Sequence, residues 1–141
     1  MSTGVTVADN VPGAFNDFKL QRGDYKIRYF IYKIQKDEIV IEKMGAREKT
    51  YDDFVDDLPE NDCRYGLIDV EFTTADERNT SKIVFVSWAP ETAKVRSKMV
   101  YAGSKEYLKG SFNGVSINVN ATDMSELDFE TCILPAVQKF V

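Results

Sequence analysis

Four consecutive apolar residues, Ile83-Val84-Phe85-Val86, sit inside the segment 81–88 (SKIVFVSW), and they constrain the fold more than any other feature of the chain. A strand with one wet face alternates apolar and polar side chains, whereas a strand covered on both faces does not. The chain must therefore build a sheet with a layer on each side. Segment 64–73 supplies a neighbouring strand, with Gly66, Ile68, Val70 and Phe72 on one face. Upstream, 25–34 (YKIRYFIYKI) is rich in β-branched and aromatic residues. Segment 38–44 repeats that character after Gln35-Lys36-Asp37, which is the pattern of a hairpin. A further, half-exposed strand is expected where Val115, Ile117 and Val119 alternate with polar residues.

Helical signals separate these strands. Asp9 stands where it would cap a helix running through Leu20, with Pro12 in the first turn and Val11, Phe15 and Phe18 at helical spacing. Thr50 is placed to cap the short segment YDDFVDDL, which Pro59 stops. Pro90 is expected to open a helix to about Ala102, with another short turn over 105–109. Asp123 and Glu126 have capping-box spacing before a final helix with Met124, Leu127, Thr131 and Leu134 on one stripe. The order α-β-β-α-β-β-α-β-α fits an α/β domain with a mixed sheet between helices.

The chain's 141 residues correspond to one domain, and its 43% apolar and 29% charged content is that of an ordinary globular protein. There is no histidine, which removes the usual base near neutral pH, the usual zinc ligand and every Ser-His or Cys-His pair. Cys63 and Cys132 are far apart and read as small buried hydrophobes. No metal, cofactor or catalytic set is encoded, so the chain reads as non-enzymatic. A formal charge of −5 argues against nucleic-acid binding. Residues 1–20 lack a basic start followed by an apolar stretch, and no apolar run reaches the ~18 residues of a membrane span. A cytosolic chain is the expectation.

Charge is unevenly distributed. Residues 50–62 hold six acids and no base, whereas 92–109 hold five bases (Lys94, Arg96, Lys98, Lys105, Lys109) and one acid. In the helix after Trp88, Ala93, Ser97, Val100 and Leu108 share one side with Tyr101 at its margin. Val95, Met99 and Ala102 form a second apolar stripe flanked by Arg96 and Lys98. A surface helix needs one stripe for its own sheet. The second is either buried under another element or kept for a partner, and an adaptable Met rimmed by cations suits a partner.

The segments LPENDCRYGLIDVEF (58–72), SKIVFVSWAPETAKVRSKMVYAGSK (81–105) and GVTVAD (4–9) together resemble the actin-depolymerising factor/cofilin family over essentially the whole chain. The resemblance implies the actin-depolymerising-factor homology fold: a five- or six-stranded mixed sheet between two helical layers. It also implies a single domain over 1–141 with a flexible N-terminal tail at 1–8. The implied activity is binding of actin monomers, preferring the ADP form, and side-on attachment to filaments, which are severed and depolymerised without catalysis. The implied setting is a cytoplasmic monomer at the actin cytoskeleton.

Carried onto this chain, the family's monomer-binding surface falls on Thr3, Gly4, Val5, Arg96, Lys98 and Met99. Its filament-binding surface falls on Arg78, Lys82 and Glu130. Ser2 and Thr3 stand at the regulatory phosphorylation position, and Lys94, Lys98, Lys105 and Lys109 are the candidates for phosphoinositide head groups. Two departures are visible. Thr80 stands where many members carry a base, and FETCILPAVQKFV lacks the usual basic cluster and contains Pro135, so weak severing is expected. The alternatives within the fold are a coactosin-like filament side-binder and a non-actin adaptor such as the glia maturation factors.

Overall fold

Backbone ladders in the computed structural model, which describes residues 4–139, join six strands into one mixed sheet. The strands are β1 (Thr6–Val7), β2 (Ile27–Gln35), β3 (Glu38–Ala46), β4 (Arg64–Thr73), β5 (Asn79–Trp88) and β6 (Ile117–Ala121). They lie in the order β1-β3-β2-β4-β5-β6. The two outer pairs are parallel and the three inner pairs antiparallel.

Each inner strand feeds two cores, because successive side chains point to opposite faces. From β2, Phe30 and Tyr32 enter a core with Phe15, Phe18, Leu67, Phe85 and Leu108. Tyr29 and Ile31 enter a second with Phe54, Ile68, Ile133 and Val137. The apolar run in β5 divides the same way, Phe85 into the first core and Val84 and Val86 into the second. Helices α1 (Asn10–Leu20) and α3 (Val95–Lys109) cover the first face. Helix α2 (Tyr51–Asp56) and the C-terminal segment ending in α4 (Leu134–Gln138) cover the second.

Local chemistry sets the boundaries. The β2–β3 hairpin turns through Lys36 and Asp37, both left-handed at φ 50° and 61°, the two-residue turn that matches strand twist. Thr50 caps α2 through a complete capping box with Asp53. Gly66 on β4 permits a close approach, because a Cβ there would force aside the Phe54 ring that α2 lays across the sheet.

Four expectations need correction. Residues 5–8, expected as flexible tail, are packed chain: Val5 is 4% exposed, and Thr6 and Val7 pair with Glu38 and Ile39 as an edge strand too short to read from periodicity. Asp9 holds the N-cap position of α1 without a side-chain cap bond. Helix α3 begins at Val95, because Pro90 to Ala93 close a turn and Lys94 is extended; it then continues unbroken through Gly103 to Lys109. Burial of Tyr101, Ser104 and Leu108 on one side outweighs the ~1 kcal/mol cost of that glycine. Finally, the C-terminal helix is three pieces: a 3₁₀ turn (Met124–Leu127), a π-helical turn (Phe129–Ile133) and α4. Pro135 has no N–H for a carbonyl four residues back, so the ladder restarts at its first turn. The inward residues are consequently Leu127, Ile133 and Val137, whereas Met124 and Thr131 are exposed.

Candidate functional site

Helix α3 is fastened from beneath by tyrosines. The Tyr101 hydroxyl accepts from the Ile34 N–H at 2.9 Å, and the Tyr101 carbonyl accepts from the Tyr65 hydroxyl. With Tyr101, Ser104 and Leu108 buried, the opposite side of the helix faces solvent, and it carries the second apolar stripe. Val95 is 68% and Met99 66% exposed, one turn apart, and Ala102 continues the line. Arg96 is exposed beside them. Lys98 is half-buried and donates from Nζ to the Glu91 carbonyl at 3.2 Å, so its ammonium is held at the entrance of the helix. Tyr101, expected at the margin, is core; Val95, a member of the second stripe, is the most exposed large apolar side chain of the described residues and joins the candidate site. Exposed Met124 adds to this end, lining with Trp88, Glu91 and Thr92 a recess of about 310 Å³. Burial pushes the Cys63 thiol on the inner side up to about 11, which keeps it protonated and inert.

Edge strand β1 lies against α3, which brings the start of the described chain to the same side of the molecule. Gly4 is exposed with φ 77°, whereas Val5 belongs to the first core and offers no side-chain surface, a correction to its expected role. Ser2 and Thr3 lie outside the described residues. Of the four lysines considered for phosphoinositides, Lys105 donates to Asn120 Oδ1 at 3.1 Å and Lys109 pairs with Glu106 at 3.5 Å. The four lie along about 22 Å of α3, from its N-cap Lys94 to its last residue Lys109.

The second group of candidates lies at the other end of the fold. Strands β5 and β6 are parallel, so α3 must run back along the sheet, and its first turn is remote from the β4–β5 hairpin. Arg78 stands at that hairpin's tip with its side chain 73% exposed and its Nε 2.9 Å from Asp76 Oδ2. Thr74 ties the tip, its hydroxyl donating to Asp76 and accepting from the Arg78 N–H at 3.1 Å. Lys82 is half-buried and lines a recess of about 340 Å³ with Lys19, Asp69 and the loop 113–116. Glu130 is exposed in the π-helical turn, on a groove of about 680 Å³ on the other flank of the β4–β5 hairpin. Arg78 and Lys82 thus share the β4–β5 hairpin, and Glu130 approaches it from the C-terminal segment. The last turn of the described chain offers one base, Lys139.

Residues 4–133 match the family described as cofilin/tropomyosin-type actin-binding protein. The chain belongs to that family. Its members are actin-binding proteins rather than enzymes, and the family span takes in both surfaces described above except Ser2, Thr3 and the turn at Lys139. Cofilin from Saccharomyces cerevisiae is 46% identical over 132 residues, covering 93% of this chain and 91% of that protein. Actin-depolymerizing factor 2 from Arabidopsis thaliana is 40% identical over 129 residues and covers 92% of each. The crystal structure of Streptomyces griseoflavus cofilin superimposes with a TM-score of 0.84 at 34% identity, over 96% of this chain and 98% of that one. The six-stranded mixed sheet between helices is the fold of this cofilin family.

Proposed function

We propose that this chain binds ADP-actin monomers through the outward face of α3 and attaches to filaments through Arg78, Lys82 and Glu130, promoting depolymerisation while severing weakly. The observation that carries the reading is the pair Val95 and Met99, large apolar side chains left in water on a helix whose inner face is already satisfied. Arg96 and Lys98 rim the pair, where they would steer and register an acidic partner. Gly4 and Thr3 extend the surface from the tail. Ser2 and Thr3 are the positions at which phosphorylation would add roughly −1.5 to −2 charges and weaken binding. Phosphoinositide head groups at Lys94, Lys98, Lys105 and Lys109 would compete with actin for the same helix. The protein would work in the cytoplasm on the actin cytoskeleton, as a monomer.

Weak severing follows from the filament end. A second, linked contact multiplies affinity by ~10²–10⁴ when geometry permits both, and the broken C-terminal segment with its single base thins that contact. Arg96→Ala with Lys98→Ala tests the monomer surface: affinity for labelled ADP-actin should fall by ~2 kcal/mol or more, with circular dichroism unchanged. Pelleting with actin filaments at varied protein ratio completes the test. Actin released to the supernatant supports depolymerisation; decoration without release would favour the coactosin-like reading.

A further inference from the structure

Strands β4 and β5 run past their neighbours. The ladder of β4 with β2 ends at Tyr29 and Ile68, and β6 joins β5 only from Val84 onward. The two strands stay paired with each other out to Thr73 and Asn79. Residues 69–73 and 79–83 therefore form a two-stranded ribbon that carries Arg78 at its tip and Lys82 on its side. Such ribbons twist strongly and are marginal by themselves, so their direction depends on what holds the root. Val70 and Phe72 anchor one face in the second core.

The other face carries Asp69 and Glu71, and two arginines from outside the ribbon grip it. Arg28 of β2 donates to the Asp69 carbonyl at 3.2 Å and to Glu71 Oε1 at 2.6 Å. Arg47, just past β3, donates to Asp69 Oδ2 at 2.8 Å and to the same Glu71 oxygen at 2.9 Å. The arginines are also tied to the sheet behind them, Arg28 to the Arg47 carbonyl at 3.0 Å and Arg47 to the Ile27 carbonyl at 3.2 Å. Planar guanidinium forks fix orientation as well as distance. The ribbon from Asp69 to its tip is a lever of about 17 Å. A tilt of about 10° at the root moves the tip by about 3 Å, the length of a hydrogen bond.

We infer that Arg28 and Arg47, acting through Asp69 and Glu71, are positioning residues that set the angle at which the ribbon presents Arg78 and Lys82 to a filament. They control filament affinity without touching actin. The inference rests on the assignment of the ribbon to the filament contact made above. Glu71→Gln removes the charge both arginines share, and Arg47→Lys keeps the cation but loses the fork. Both should reduce filament affinity in co-sedimentation by about three- to tenfold, within the roughly two- to thirtyfold range a remote residue exerts on a coupled site. Affinity for ADP-actin monomers, read by titration, stays unchanged. Combining Glu71→Gln with Arg78→Ala and Lys82→Ala should lose little more than the two cation changes do by themselves, because the clamp acts through where Arg78 and Lys82 are held. Additive losses would overturn the inference, as would normal filament affinity in both clamp variants while Arg78→Ala is weakened. If Arg78→Ala combined with Lys82→Ala binds filaments normally, the ribbon assignment itself falls.

Discussion

Replacing Met99 with alanine should weaken ADP-actin monomer binding by about 1–2 kcal/mol and leave the stability of the fold almost unchanged. Met99 is 66% exposed, so about two-thirds of its surface remains for a partner to bury. Full burial of a methionine side chain contributes about 1.5–3 kcal/mol, and two-thirds of that is the stated loss, roughly five- to thirtyfold in dissociation constant. A core methionine behaves in the opposite way, costing about 2–5 kcal/mol of stability on truncation. Titration of fluorescent ADP-actin, run beside chemical denaturation of each variant, separates the two cases. Met99→Glu sharpens the contrast, since an unpaired carboxylate in an apolar cleft is far more costly than a missing thioether. Unchanged monomer affinity at an unchanged denaturation midpoint would refute the assignment of this face. A stability loss of several kcal/mol would instead make Met99 part of the core.

Gly66→Ala should destabilise by about 1–3 kcal/mol, because the new methyl group meets the Phe54 ring and not solvent; an unshifted thermal midpoint would remove the close approach from the account. Stability should stay flat between about pH 5 and 8, where only histidine side chains ordinarily titrate. It should fall in acid. Hydrogen bonds from Arg28 hold the Glu71 carboxyl below its usual range, and bonds from Arg64 and the Cys63 N–H outweigh burial to do the same for Asp62. Their contributions are present above the unfolded carboxylate pKa and are lost as the pH drops through the lower folded values. It should fall again above about pH 9, where an unfolded Cys63 ionises while the folded thiol resists up to about 11; denaturant midpoints across this range are the measurement. Gln138→Arg, at an exposed position of α4, should raise the frequency of filament breaks seen by fluorescence microscopy, whereas Ala136 is partly buried against the second core and would not accept a base.

Much of this architecture was legible because it rests on local rules. The apolar run in β5 demanded two covered faces, and Phe85 against Val84 and Val86 divides between two cores as the alternation of a strand requires. The capping box at Thr50 and the hairpin through Lys36-Asp37 are interactions between residues a few positions apart, so spacing alone reveals them. The second stripe on α3 was visible as periodicity, but periodicity cannot say which of two stripes is wet. That was decided by the Tyr65 and Tyr101 hydrogen bonds beneath the helix, which join residues 36 and 67 positions apart in sequence.

At two places distant partners override local preference. Val5 looked like tail, yet the edge of β3 turns residues 5–8 into packed chain. The final helix looked continuous, but Pro135 removed a donor and the second core chose Leu127, Ile133 and Val137 over the helical stripe. The clamp on the ribbon root left no trace in spacing at all, because Arg28, Arg47, Asp69 and Glu71 come from three segments and meet only when β2, β3 and β4 align. The amino-acid order by itself determined which segments become the long strands and that the sheet must be dry on both faces, since those follow from short-range sterics and side-chain alternation. Only the tertiary structure decided which apolar stripe stays in water and which charges converge, since both depend on contacts across the sheet that no local pattern encodes.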